Sequence, residues 1–152
     1  MNQINRFNIR VYFILYNDAM DSILVSDEII KKNHYTKFPG GGLEYGEGIE
    51  DCVRREAIEE LGQAIEVTGH FYTTDFFVRS AFRESDQVVS VYYTACLTAA
   101  QQFITHDMKF QFDQEENDEE SFRWVKLEML ESEHFEFPAD KEVVRRLIRL
   151  DK

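Results

Sequence analysis

A chain of 152 residues, 43% hydrophobic and 14% aromatic, has the apolar material for one sizeable core, and a single domain over residues 1–152 is expected. Its net charge of −12 argues against long nucleic acid as a partner, because non-specific affinity for that backbone comes largely from Lys and Arg replacing counterions. No run approaches the roughly 20 apolar residues needed to span a bilayer, and the N-terminus MNQINRFNIRVYF lacks a charged-then-apolar signal pattern, so a soluble protein with no membrane partner is expected.

Phe7, Ile9, Val11, Phe13 and Leu15 alternate, and Tyr12 and Ile14 add apolar character on the other side, which predicts a strand from Phe7 to Leu15 buried on much of both faces. Asn17-Asp18 supplies a turn and Ser22 to Ser26 a short return strand, making a hairpin. Phe38-Pro39-Gly40-Gly41-Gly42 then breaks regular structure, its three glycines permitting close approaches that side chains would forbid. A helix is predicted from Ile49 or Glu50 to Gly62, a C-cap glycine, with Val53, Ala57 and Leu61 as a stripe that packs on a sheet. Ala64 to Arg79 and Gln87 to Ala99, rich in β-branched and aromatic residues, read as strands, and Phe122 to Leu127 as the last one. After Pro138, Ala139 to Leu150 sets Val143, Val144, Leu147 and Ile148 at helical spacing and closes the chain as an amphipathic helix. This order predicts an α/β fold, a mixed sheet with helices on both faces.

The segment GGLEYGEGIEDCVRREAIEELG, Gly41 to Gly62, holds the chemistry. Glu56, Glu59 and Glu60 stand at i, i+3 and i+4, so a helix projects all three carboxylates from one face. Like charges so placed repel and call for a compensating cation, for which oxygen-seeking Mg²⁺ or Mn²⁺ are the natural candidates. Without the glycine turn and Arg55, the same glutamates would read as a solvated helix face.

These residues resemble the Nudix hydrolase family, known by G-x5-E-x7-R-E-U-x-E-E-x-G-U with U a bulky aliphatic residue. Gly41, Glu47, Arg55, Glu56, Glu59, Glu60 and Gly62 fall on the pattern without a gap, while the two U positions hold Ala57 and Gln63 as departures. The resemblance implies an α/β/α sandwich with a mixed sheet between helices. It also implies Mg²⁺, with Mn²⁺ as a substitute, held by Glu56 and Glu60, by Glu59 either as a ligand or as a base acting through water, and by the backbone carbonyl near Gly40. Arg55 would orient a catalytic glutamate and Glu47 would support the site; their bland readings are a surface ion pair and a helix N-terminal charge. The reaction implied is pyrophosphohydrolysis of a nucleoside diphosphate linked to another group.

Such a reaction needs a base. Family members draw it from the box or from a distant acidic loop, and DQEENDEE offers Glu115, Glu116, Glu119 and Glu120. Glu119 and Glu120, just before the last strand, are the first candidates, with a solvated acidic loop as the alternative. Seven of the 29 acidic residues lie in Gly41 to Gln63 and six in Asp113 to Glu120, a concentration suited to metal-loaded sites for small anionic substrates. Cys52 and Cys96 form neither a CxxC pair nor a zinc-like cluster, which favours reduced thiols in the cytoplasm, and Cys52 lacks a neighbouring base. His34, His70, His106 and His134 show no metal-ligand spacing. Tyr72, Phe76, Phe77, Phe82 and Phe110 suit either a core or stacking on a nucleobase, and the core is expected for most. Subgroup markers for ADP-ribose, coenzyme A and NADH are missing, which leaves nucleoside triphosphates or sugar nucleotides as substrates. Homodimers are common among relatives. A non-catalytic module that senses a nucleotide or a protein is the competing class, and the loss of a box glutamate or of Arg55 would have favoured it.

Overall fold

In the computed structural model, which describes residues 3–112 and 119–151, the elements are β1 (Arg6–Tyr16), β2 (Ser22–Ile30), β3 (Asn33–Lys37), β4 (Gly40–Gly42), α1 (Ile49–Leu61), β5 (Ile65–Thr73), β6 (Asp86–Leu97), β7 (Glu120–Lys126) and α2 (Pro138–Leu150). The strands form one mixed sheet with β1 at its centre. β1 runs parallel to β6 from Arg6↔Asp86 to Tyr16↔Cys96 and antiparallel to β2 and β4, while β2 also pairs with β3 and β7, and β5 with β6, all antiparallel.

Alternation along β1 decides the layering, because successive side chains leave a strand on opposite faces. Val11, Phe13 and Leu15 pack with Cys52, Val53, Ala57 and Leu61 of α1, whereas Tyr12 and Ile14 pack with Val143, Val144 and Leu147 of α2, together with Phe38, Tyr92 and Phe135. The two helices therefore cover opposite faces, and the expected mixed sheet between helices is what the chain forms. α1 ends as its glycine predicts: Gly62 adopts φ +67 and its N–H reaches the Ile58 carbonyl at 2.9 Å.

Three elements differ from the sequence expectation. β2 continues four residues past Ser26 and turns through Lys31 and Lys32 into β3, a strand that the sequence reading lacks; both lysines have positive φ, +48 and +70, as a two-residue hairpin loop requires, but neither is the Gly or Asn that marks such a loop. The glycine triplet is not a break in regular structure but β4, paired with β1 through Arg10↔Gly42, Val11↔Gly41 and Tyr12↔Gly40. β5 stops at Thr73, and the following loop regains the sheet only at an isolated bridge between Arg79 and Gln87.

Gln63, polar where an aliphatic residue is usual, is buried and satisfied. Its amide donates to the carbonyls of Ala99 and Ala100 at 3.4 and 3.1 Å and accepts from the Gln102 N–H at 2.9 Å, so it pins the segment after β6 to the end of α1.

Candidate active site

Close backbone approach sets the floor of the site. Gly40, at φ +149, lies so near β1 that a Cβ would collide with the Val11 carbonyl and the Tyr12 backbone, and a Cβ on Gly41 would collide with the Glu56 carboxylate. With no side chains intervening, β4 lies directly under the acidic face of α1. The Gly40 N–H donates to Glu60 Oε2 at 3.1 Å.

Arg55 is the hub of the box. It donates to both oxygens of Glu47 at 2.9 and 2.7 Å, to the Gly42 carbonyl at 3.0 Å, to Glu56 at 3.1 Å and to Glu59 at 3.1 and 3.2 Å. Hydrogen bonding to Glu47 raises the Arg55 pKa, and the same bond, with the Glu44 N–H, lowers that of Glu47 to about 2. Arg55 thus ties the glycine turn to three glutamates at once.

Glu56 is buried and raised in pKa, chiefly by that burial. Glu60 is pushed up to about 9 by burial first and then by Glu120, with Lys37 opposing. Glu120 comes from β7, where Ser26 donates to its Oε2 at 2.6 Å; burial lifts it to about 6 against the pull of Lys37. Glu59 is the exposed member of the three. Glu119 meets the fold through its carbonyl, which accepts the Ile29 N–H at 3.0 Å. Glu115 and Glu116 lie outside the described residues.

Two residues join this group that the sequence reading did not select. Glu28 stands directly opposite Glu120 in the β2–β7 pair, and Lys37, almost fully buried, places its Nζ 3.3 Å from Glu28. Interactions with Glu28 and Glu60 outweigh the burial that would lower the Lys37 pKa and leave it raised. A signal was present: Ser26 and Glu28, two apart on one strand, share a face, and Lys37 immediately precedes the Phe-Pro-Gly segment.

Glu60 borders two cavities. One, of about 430 Å³, is walled by Arg6, Arg10, Lys37, Phe82, Tyr92 and Asp140 among others; the second, of about 440 Å³, adjoins Glu120, His106 and Phe122. Phe82 meets Phe137 edge-on at 5.9 Å, and Phe137 stacks on Tyr35 at 5.0 Å, so two members of an aromatic cluster line the first cavity. Of the five candidate aromatics, only Tyr72 joins a core cluster: Phe76 and Phe77 are exposed, and Phe110 packs on His34. Cys52 is buried with its thiol pushed up to about 12 by burial and Glu47, so it is no nucleophile.

The donor set suits a hard divalent cation. Glu56 and Glu60 are carboxylates that burial drives toward the neutral form, and a dication beside them would favour the charged form. As they stand, no three carboxylate, imidazole or thiolate groups among the described residues gather closely enough to hold an ion: Glu56 and Glu59 rest on Arg55, and Glu60 on Gly40.

Comparison with known proteins agrees with the geometry. The NUDIX domain model matches residues 6–147, and the chain belongs to that family. Nucleoside triphosphatase NudI from Enterobacter sp. (strain 638) is 33% identical over 76 residues, 47% of this chain and 54% of that protein, so the match spans about half the relative's length. Among solved structures, one from a study of MutT from Aliivibrio salmonicida and Vibrio cholerae is 24% identical with a TM-score of 0.59, covering 95% of this chain and 98% of that one. The E. coli ORF135 protein is 16% identical with a TM-score of 0.69, covering 96% of this chain and 91% of that one. A C. elegans Ap4A hydrolase in a binary complex is 15% identical with a TM-score of 0.66, covering 94% and 96%. These three likenesses speak for the fold. Among the described residues, no helix is long and apolar enough to cross a membrane.

Proposed function

We propose that this protein is a divalent-metal-dependent hydrolase that splits a phosphoanhydride bond in a nucleoside diphosphate linked to another group. A nucleoside triphosphate or a sugar nucleotide is the substrate, and Mg²⁺, with Mn²⁺ as a substitute, is the metal. The observation that carries this reading is the meeting of Glu60 on α1, Glu120 on β7 and the Gly40 backbone beside an arginine-lined cavity of about 430 Å³. The relative named a nucleoside triphosphatase supports a triphosphate substrate.

In this reading Glu56, Glu60 and the backbone carbonyl near Gly40 would hold the metal, with Glu59 as a further ligand or as a base through water, and the metal would withdraw charge from the diphosphate and lower the pKa of an attacking water. Glu120 takes the water's proton: it stands beside Glu60, with Ser26 donating to its Oε2 and Glu28 directly across the strand pair. Glu59 is the second candidate base and Glu119 the third. Arg55 orients Glu56 and Glu59 by charge-assisted bonds, and Glu47 holds Arg55 in place from the other side.

Incubation with Mg²⁺ and a panel of nucleoside triphosphates, sugar nucleotides and dinucleotides tests this through release of monophosphate or pyrophosphate. Turnover of at least one compound is expected. Metal binding without turnover of any would sink the enzyme reading and favour a module that senses a nucleotide or a protein partner.

A further inference from the structure

Arg10 lies on β1 opposite Gly42, and its part-buried side chain lines the same cavity as Glu60. The neighbouring cations in that wall have partners. Arg6 donates to Asp86 at 2.9 and 2.6 Å, and Arg83 lies 3.6 Å from the same carboxylate. Lys37 is 3.3 Å from Glu28, and Arg79 donates to the Glu84 carbonyl at 2.5 Å. Among the described residues Arg10 has no carboxylate at ion-pair distance; its contacts are a long bond to the Tyr12 hydroxyl at 3.4 Å and the Tyr12 ring, 5.9 Å from its guanidinium carbon.

A guanidinium offers five N–H donors, so most of this one's capacity is unspent, and a cation drawn partly out of water is costly until an anion arrives. Room for the group comes from Gly42, where a Cβ would stand 3.3 Å from Arg10 Nη1. Burial lowers the Arg10 pKa, but Tyr12, Glu56 and Glu28 outweigh it, so the charge persists beside the carboxylates.

We propose that Arg10 is a phosphate-binding residue of the cleft, its guanidinium donating to non-bridging oxygens of a nucleotide's phosphate or diphosphate where that group passes Glu60. This rests on the reading that the cleft receives a nucleotide. The planar fork matches phosphate oxygens in pairs, a geometry that lysine does not reproduce.

The test is equilibrium binding of ADP, inorganic pyrophosphate and adenosine to wild type, Arg10→Gln and Arg10→Lys, each with EDTA and with Mg²⁺, alongside thermal melts. Arg10→Gln should weaken ADP and pyrophosphate by about 10- to 100-fold, the range for a lost bond to a charged group, while adenosine binding and melting temperature stay put. Arg10→Lys should recover part of the loss. Unchanged ADP and pyrophosphate affinity in Arg10→Gln overturns the proposal, as does an equal loss for adenosine or a wild type that binds neither phosphate ligand under either condition. Normal turnover with unchanged KM in Arg10→Gln would remove Arg10 and leave the hydrolase standing. Absent turnover with phosphate binding still dependent on Arg10 would do the reverse.

Discussion

Burial and the neighbouring Glu120 raise the Glu60 carboxyl well above the ordinary carboxylate range, so the metal-free fold favours its neutral form at a cost that an ionised group in the unfolded chain does not bear. Glu60→Gln keeps the shape and removes that cost. Initial rates should therefore fall at least about 100-fold, as for other groups that act on the transition state, while the melting temperature stays level or rises; near-normal rates would refute the ligand assignment. Asp140 gives a pH signature at the same scale. Burial raises it to about 7, against the bond that the Tyr92 hydroxyl donates at 2.5 Å. Its folded pKa lies above the ordinary value of 3.8, so the stability it contributes is whole below about pH 4 and is lost as pH climbs toward 7, by up to about 1.4 kcal/mol per pH unit. Asp140→Asn should flatten that decline, read as the difference in denaturant stability between variant and wild type across pH 4–7. Equal slopes would mean that Asp140 titrates normally. The box glutamates and Arg55 could be picked from the sequence because their spacing alone sets them on one helical face. For Glu28 and Lys37 the local signal was weaker, a face shared with Ser26 and a place before the Phe-Pro-Gly segment, because neither strand's sequence says which residue faces it across the sheet.

The box works as an element because β4 can lie flat against β1. Gly40 touches backbone that cannot yield, and its φ of +149 suits no other residue, so Gly40→Ala should cost about 2–5 kcal/mol in urea unfolding through strain and overpacking. Gly41 meets only the movable end of Glu56. Gly41→Ala should leave stability within about 1 kcal/mol and act on turnover instead, by displacing a proposed metal ligand; equal stability loss in both variants would contradict this division. Both helices were legible in chain order, since the apolar stripes of α1 and α2 and the stop at Gly62 are local signals. β3 was not, because Lys31 and Lys32 accept positive φ only when the flanking strands impose it. The strand character of Gly40–Gly42 was hidden for the complementary reason: glycine has little strand preference of its own, and pairing with Arg10 to Tyr12 supplies the structure.

Across the whole molecule the charge of −12 is unevenly met: five cations, Arg6, Arg10, Lys37, Arg79 and Arg83, line one cavity together with Glu28, Glu60, Asp86 and Asp140. A metal that binds only the folded chain should stabilise it by mass action: at Mg²⁺ near 100 times its Kd, about 5 to 10 °C in melting temperature for a chain of this size. Glu56→Gln should shrink that increment, and an increment unchanged by this substitution would locate the metal elsewhere. By itself the sequence determined the family, the acidic helix with its glycine turn, and a sheet buried on both faces, because these rest on spacing and periodicity within short segments. Only the tertiary structure decided which distant acid meets the box, how Lys37 and Glu28 stand beside it, and that Arg10 in the cleft has, among the described residues, no carboxylate at ion-pair distance. Those are relations among β1, β2, β3 and β7, the last about 80 or more residues further along the chain than the others, and they exist only once the sheet has brought the strands into register.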